Sequence, residues 1–331
     1  FQQSKPQAMS NVSAVASSAS SISSTLMEFS WLWVPVVIFA ALAQTVRNSA
    51  QRSLTQELGT LSATLVRFLF GLPLTVAWVA FLYWGPGSTA RLPDFNLPYL
   101  GWIGMGAFFQ IFATAALLRA MQERNFAVAV TLSKTEVLQV GLFSVVLLHE
   151  LPTGMAVLAM VVATLGVLLL GLPRQGQLLS WRAWCSKSAM YGLLAGAGFA
   201  ISTIGFRGGS LALGDAVAPW VAGAWGVLIA QTLQSIGLGG WVAWRTGLGP
   251  IFRAWRTSLL AGNMGAAASL AWFTAYAMHN VADVRTLGMI EVVFSYLVSR
   301  RVLRENLSRP EQIGIALMLV GLVLICLPLG A

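Results

Sequence analysis

Apolar residues run almost without interruption through ten stretches of this chain, near 31–50, 57–84, 98–120, 125–148, 153–173, 188–208, 214–243, 256–278, 280–301 and 311–329. Each is comparable to the roughly 20 mostly apolar residues that cross a hydrocarbon layer. The runs are continuous rather than alternating, so they predict helices and not the strands of a closed barrel, the other structure that satisfies a backbone in lipid. The expected fold class is an all-α polytopic membrane protein with ten transmembrane helices. With 57% hydrophobic and 9% charged residues, the 331-residue chain leaves almost no room for a soluble domain.

The polar positions that interrupt these runs recur. Residues 125–173 lie over residues 280–328 at a constant offset of 155 with no gap, pairing Asn125 with Asn280, Thr131 with Thr286, Glu136 with Glu291, Glu150 with Glu305 and Gly166 with Gly321. The fourth and fifth segments therefore repeat as the ninth and tenth. Five segments is an odd separation, so the halves, residues 31–173 and 188–329, run through the membrane in opposite directions. Inverted repeats of this kind create a pseudo-twofold axis in the membrane plane and permit two related states, open to one side or the other. The first three segments are expected to repeat only weakly.

Charge then sets the topology. Fourteen Lys and Arg residues fall in the connections after the odd-numbered segments, among them Arg47, Arg52, Arg119, Arg174, Arg245, Arg253 and Arg304, against four on the other side, Lys5, Arg91, Arg207 and Arg285. Positive residues stay in the cytoplasm during insertion, which places both termini outside. Trp31, Trp84, Trp181, Trp241 and Trp255 lie near segment ends, as interfacial rings do. Residues 1–30, rich in Ser and Ala, read as a disordered tail whose upstream part need not be native, since Met27 is a natural start. Cys185 and Cys326 read as small apolar residues rather than a disulfide or metal pair.

Arg67-Phe68 in the second segment, Glu136 followed by Glu150 and Gly166, and the matching Glu291, Glu305 and Gly321 make the chain from Trp31 onward resemble the EamA-type carriers of the drug/metabolite transporter superfamily. The resemblance implies ten helices in two inverted halves and a transport function, with the cargo left open. It also implies termini in the cytoplasm, against the charge bias. Where that family has a proline after the mid-helix position, this chain has Val137 and Val292, which removes the expected cause of a local kink.

A charge at the bilayer centre costs at least about 2.5–3.5 kcal/mol unless paired or hydrated. Four residues lie at that depth: Arg67, Lys134, Glu136 and Glu291. They are the candidate substrate or proton-coupling groups, the two glutamates as a pseudo-symmetric pair and the two cations as holders of a carboxylate or phosphate. The competing structural reading has Arg67 neutralising one glutamate while hydroxyls such as Thr131, Thr135 or Thr286 cap the other. Lys134 and Glu136, two positions apart, stand about 200° apart on a helix and are expected to face different neighbours. The mid-membrane cations all come from the first half. Gln44, Gln110, Thr131, Asn263, Trp272, Tyr276, Thr286 and Tyr296 are candidate cavity-lining residues, with ordinary packing or interhelical hydrogen bonds as their alternative. Glu150 and Glu305 read as helix-end markers beside the next helix, His149 and His279 as single unclustered residues, and Gly192 and Gly196 as a close-packing face.

No nucleophile, metal cluster or phosphate loop stands out, so neither an enzyme nor direct ATP use is expected, and no cofactor or metal is implied. The expected function is a secondary active or facilitative transporter, working by alternating access on a small polar or amphipathic metabolite such as an amino acid, with proton coupling as one option. The alternatives are a transporter or flippase of a lipid or lipid-linked cargo and a non-transporting partner subunit. The expected partners are a small-molecule substrate and membrane lipids, without nucleic acid, for a monomer or homodimer in a bacterial inner membrane.

Overall fold

The computed structural model describes residues 31–88, 90–121, 132–170, 186–303 and 309–327. The Ser-rich stretch, Thr131, Cys185 and Glu305 lie outside them. Among the described residues there is no strand. The first pass is α1 (Trp33–Leu58), the second α2 (Thr60–Leu69) with α3 (Leu72–Trp84), and the third α4 (Leu97–Met121). The fourth is α5 (Glu136–Phe143) continued by a wide π-type turn (Ser144–Leu148), and the fifth α6 (Gly154–Leu170). The second half follows with α7 (Lys187–Ala212), α8 (Pro219–Arg245), a short α9 (Gly249–Arg253) and α10 (Trp255–Met278). The ninth pass joins α11 (Val281–Gly288) to α12 (Ile290–Leu303), and α13 (Arg309–Cys326) is the tenth.

Five helical stretches, Thr60–Trp84, Leu97–Leu117, Lys187–Ala212, Pro219–Arg245 and Arg309–Cys326, are long and apolar enough to cross a membrane on composition alone. Among the described residues, the first and eighth passes carry the polar side chains described below, and the ninth is split into two helices of 8 and 14 residues. Large apolar residues such as Phe81, Ile236 and Val323 remain exposed, as a surface solvated by lipid requires.

Among the described residues, the offset of 155 extends beyond the stretch where the sequences match. Shifted by that amount, α1, α4 and α6 fall on residues 188–213, 252–276 and 309–325, almost coincident with α7, α10 and α13. The first and third passes, expected to repeat weakly, therefore share the repeat in structure, whereas the second is broken into α2 and α3 where its counterpart α8 is one helix. Gly59 and Gly214, themselves 155 apart, close the first helix of each half with φ of 75° and 76°, a left-handed conformation that favours glycine.

Packing obeys the same relation: α1 lies against α10 and, by the shift, α7 lies against α4, while α6 and α13 pair with each other. These contacts depend on small residues that bring backbones together. A Cβ on Gly166 would stand 2.5 Å from the Met318 nitrogen, and one on its repeat partner Gly321 would stand 2.7 Å from the Ala163 nitrogen. Between α4 and α7, a Cβ on Gly205 would meet the Gly106 nitrogen at 2.7 Å. The small-residue face of α7 is likewise a packing surface, with Gly196 facing the Ser133 carbonyl at 3.1 Å.

At the end of the bundle where α1 begins, the structure revises three readings. Glu150 does not cap α6; the Thr153 hydroxyl does, accepting the Ala156 N–H at 3.1 Å. Instead Glu150 Oε1 accepts from Arg207 Nε at 3.0 Å and Nη2 at 2.6 Å. Arg207 lies within α7, not in a connection, and its Nη1 donates to the Tyr276 carbonyl at 2.5 Å at the end of α10. One side chain thus ties the first half to the second. His279 stacks on Trp33 with ring centroids 4.4 Å apart and meets Asp283 Oδ2 at 2.9 Å, so it has partners on α1 and α11 rather than standing alone.

Candidate functional site

The two mid-membrane carboxylates sit where helices break. Lys134 and Thr135 form a turn before α5, and Met289 separates α11 from α12. Short backbone bonds tighten both turns, from the Thr135 N–H to the Leu132 carbonyl and from the Met289 N–H to the Thr286 carbonyl, each at 3.1 Å. Glu136 is thereby the first residue of α5 and Glu291 the second of α12. There a carboxylate stands in the first turn of a helix, near the positive end of its dipole, a stabilisation of about 0.3–1 kcal/mol. The breaks form with valine, not proline, at 137 and 292. They also explain why Lys134 and Glu136 share one cavity despite their two-residue spacing: the turn resets the helical phase on which the 200° expectation rests.

That cavity has a volume of about 210 Å³ and draws its walls from both halves. Arg67, Lys134, Glu136 and Glu291 all line it, as do Gln44, Gln110, Trp272 and Tyr276. Three other candidates do not. Thr286 is fully buried and donates to its own helix at the Ala282 carbonyl, 2.7 Å away. Asn263 precedes Trp272 by nine residues and so stands on the opposite face of α10, and Tyr296, five residues past Glu291, is turned about 140° away on α12. Gln110 combines the two roles proposed for it, lining the cavity while its Oε1 accepts from Gln234 Nε2 at 2.7 Å.

The wall is built from repeat-related positions. Gln44 and Phe199, Arg47 and Ser202, Asn48 and Thr203, Leu117 and Trp272, and Glu136 and Glu291 are each 155 residues apart, and all ten line the cavity. The scaffold is symmetric while its chemistry is not: the first half supplies the amides and three of the four cations, the second the aromatic rings and hydroxyls together with Arg285.

A chain of hydrogen bonds, with one cation–π contact between Arg285 and Trp272, crosses between the halves. Arg47 Nη2 donates to Asn48 Oδ1 at 2.6 Å, and Asn48 Nδ2 donates to Glu291 Oε1 at 2.8 Å. Gln44 Nε2 donates to the other oxygen of Glu291, and Gln44 Oε1 accepts from Trp272 Nε1 at 3.0 Å. The Trp272 ring carries the Arg285 guanidinium 5.2 Å from its centroid, and Arg285 Nη2 donates to Glu136 Oε1 at 2.6 Å. Both members of that ion pair are largely buried, with side-chain exposures of 19% and 12%. Gly288 makes the arrangement possible, since a Cβ there would stand 2.4 Å from Trp272 Cη2. Neither Thr135 nor Thr286 caps a glutamate; the Thr135 hydroxyl donates to the Leu132 carbonyl at 2.7 Å.

Arg285 and Arg47 are the residues that hydropathy misplaces. Arg285 was counted in a connection, yet α11 begins at Val281, and it is Arg285, not Arg67, that neutralises Glu136. The mid-membrane cations therefore come from both halves. The signal was Asn280, whose Oδ1 accepts the Ala282 N–H at 2.9 Å as an N-cap does and so marks a helix start ahead of Arg285. Arg47 lies inside the membrane because α1 continues to Leu58, where Gly59 supplies the stop that the apolar run does not. Among the described residues no group of three His, Cys, Asp or Glu is placed to hold a metal.

An all-helical membrane protein whose inverted halves enclose a charged central cavity has the architecture of a carrier. This chain belongs to the EamA-like transporter family, whose model matches it twice, over residues 31–172 and 186–327. It is thus a multi-pass membrane protein of the drug/metabolite transporter superfamily, whose EamA members are transporters and not enzymes. No curated protein sequence matches it. Among solved structures 23 chains match. One crystal structure, 19% identical, has a TM-score of 0.66 and is aligned over 88% of this chain and 94% of its own length, a likeness of fold.

Proposed function

We propose that this protein is an alternating-access carrier of a small polar or amphipathic metabolite, and that Glu136, Glu291, Arg67 and Lys134 form its transport site. The observation that carries this reading is the cavity at the two helix breaks, lined by repeat-related residues and crossed by one chain of hydrogen bonds and a cation–π contact. If the halves exchange roles between states, contacts that bridge them must remake, and the Arg207 tie to Glu150 is one that must open. A volume of about 210 Å³ corresponds to about seven waters at about 30 Å³ each. That favours a solute over a lipid, and a solute-sized cavity disfavours a non-transporting subunit.

The charge bias supports cytoplasmic odd-numbered connections, and it sharpens once the cavity-lining Arg47 and Arg285 and the Glu150-paired Arg207 are set aside, leaving thirteen cations against two. A bacterial inner membrane and a single chain or homodimer complete the proposal. Reconstitution into proteoliposomes tests it. Saturable uptake from a panel of labelled metabolites is expected in the native protein. Glu291→Gln should lower it by about tenfold or more, since a charge-assisted hydrogen bond is stronger than its neutral counterpart, while the protein stays monodisperse. Uptake unchanged in Glu291→Gln and Glu136→Gln alike contradicts the assignment.

A further inference from the structure

We infer that the cargo is a compact organic anion whose carboxylate or phosphate lies between Arg67, Arg47 and Lys134 and whose apolar body rests against Phe199, Trp272 and Phe273; this deepens the carrier reading and rests on it.

The cavity holds four cationic side chains, Arg47, Arg67, Lys134 and Arg285, and two carboxylates, Glu136 and Glu291. Both carboxylates already have donors. Glu136 has Arg285 at 2.6 Å, and Glu291 has the amides of Gln44 and Asn48, the latter at 2.8 Å. Arg47 spends two donors on the Asn48 amide oxygen, a neutral partner, at 2.6 and 3.2 Å. Arg67 Nε is buried with no hydrogen-bond partner, and its guanidinium lies 5.2 Å from the Phe68 ring centroid. Lys134 has no carboxylate partner among the described residues.

Arg47 and Arg67 also flank the same glycine. Both stems pass over Gly265, where a Cβ would stand 3.1 Å from Arg67 Cγ and 3.2 Å from Arg47 Cδ. Two guanidinium groups in one low-dielectric cavity repel each other, with Glu291 the one carboxylate acting on both, and their forked N–H donors match the oxygens of a further carboxylate or phosphate. An amine cargo meets the opposite situation: Glu136 is already paired with Arg285, which leaves Glu291 alone to receive it in a cavity where Arg47, Arg67 and Lys134 repel it. The second feature is the asymmetry between the walls. At positions where the first half presents Gln44 and Leu117, the second presents Phe199 and Trp272, with Phe273 beside them. A cargo charged at one end and apolar at the other fills both.

The test uses probes of one size and differing charge: benzoate, phenyl phosphate, neutral benzamide and cationic benzylamine, at millimolar concentration, on the purified full-length protein. Thermal stabilisation and calorimetric binding are read together, since a ligand of the folded state raises its stability by mass action. Benzoate or phenyl phosphate is expected to bind at least about tenfold more tightly than benzamide or benzylamine, and the stronger of the two anions identifies the oxyanion preferred. Arg67→Gln and Lys134→Gln should each weaken that anion about tenfold or more. Lys134→Gln removes a membrane charge without orphaning a partner, so it keeps the test open should Arg67→Gln fail to fold.

Benzylamine binding as tightly as benzoate, no anion binding at all, or full anion affinity in Lys134→Gln each overturns the inference. Binding is measured without flux. Anion binding without uptake in proteoliposomes refutes the carrier and leaves the anion site, whereas uptake of a cation without anion binding does the reverse.

Discussion

Glu136→Ala should destabilise the protein by about 3–5 kcal/mol and abolish transport, because it removes the carboxylate in contact with the Arg285 guanidinium and leaves it the Trp272 ring and the Tyr276 hydroxyl. The loss exceeds the worth of one hydrogen bond, since the larger part is the cost of a charge without its counter-charge. The pair is therefore separable from the function. Replacing both partners, Glu136→Leu with Arg285→Leu, should recover most of the melting temperature, as apolar substitutes for a buried ion pair often do, while transport stays absent. A Glu136→Ala protein that melts within about 1 kcal/mol of the native one would show that the pair carries little weight in the fold.

Gly166→Val should cost about 1–3 kcal/mol or more, at the upper end for an overpacked site. The obstacle is backbone: the added Cβ meets the Met318 nitrogen at 2.5 Å and the Gly314 carbonyl oxygen at 2.6 Å, and neither can rotate away as a side chain does. Gly321→Val, its repeat partner, meets the Ala163 nitrogen at 2.7 Å and should behave alike. Gly101→Ala on α4 is the control, with nothing within 4 Å of the added carbon, and should be neutral or slightly stabilising through helix propensity. Thermal melts of the four proteins in one detergent check this, and an unchanged melt for Gly166→Val contradicts the tight α6 to α13 seam.

Much of this architecture is legible in the sequence because lipid narrows the choices. Continuous apolar runs permit only helices, and the gapless match of 125–173 to 280–328 gives the inversion by parity alone. Glu136 and Glu291 stand out for the same reason, since a charge that deep needs a purpose. What hydropathy misses are charges whose helices extend beyond the apolar run. Arg47 and Arg285 look like loop residues until Gly59 and Asn280 are read as the true helix ends.

Helical phase fails for Lys134 and Glu136 because a turn intervenes, and neither valine nor any other residue at 137 announces it. The ties of Glu150 to Arg207 and of Glu136 to Arg285 span 57 and 149 residues. Contacts that distant leave no local mark on the chain.

The central claim is that one cavity between the halves is reached in turn from the two sides of the membrane. Ser269, buried on α10 and lining the cavity, reports on it directly when changed to cysteine in a Cys185→Ser, Cys326→Ala background. A membrane-impermeant thiol reagent is applied to one face of oriented membranes and then, separately, to the other. Alternating access predicts labelling of Ser269→Cys from each face. Labelling from one face alone, whatever solute or gradient is present, would contradict it.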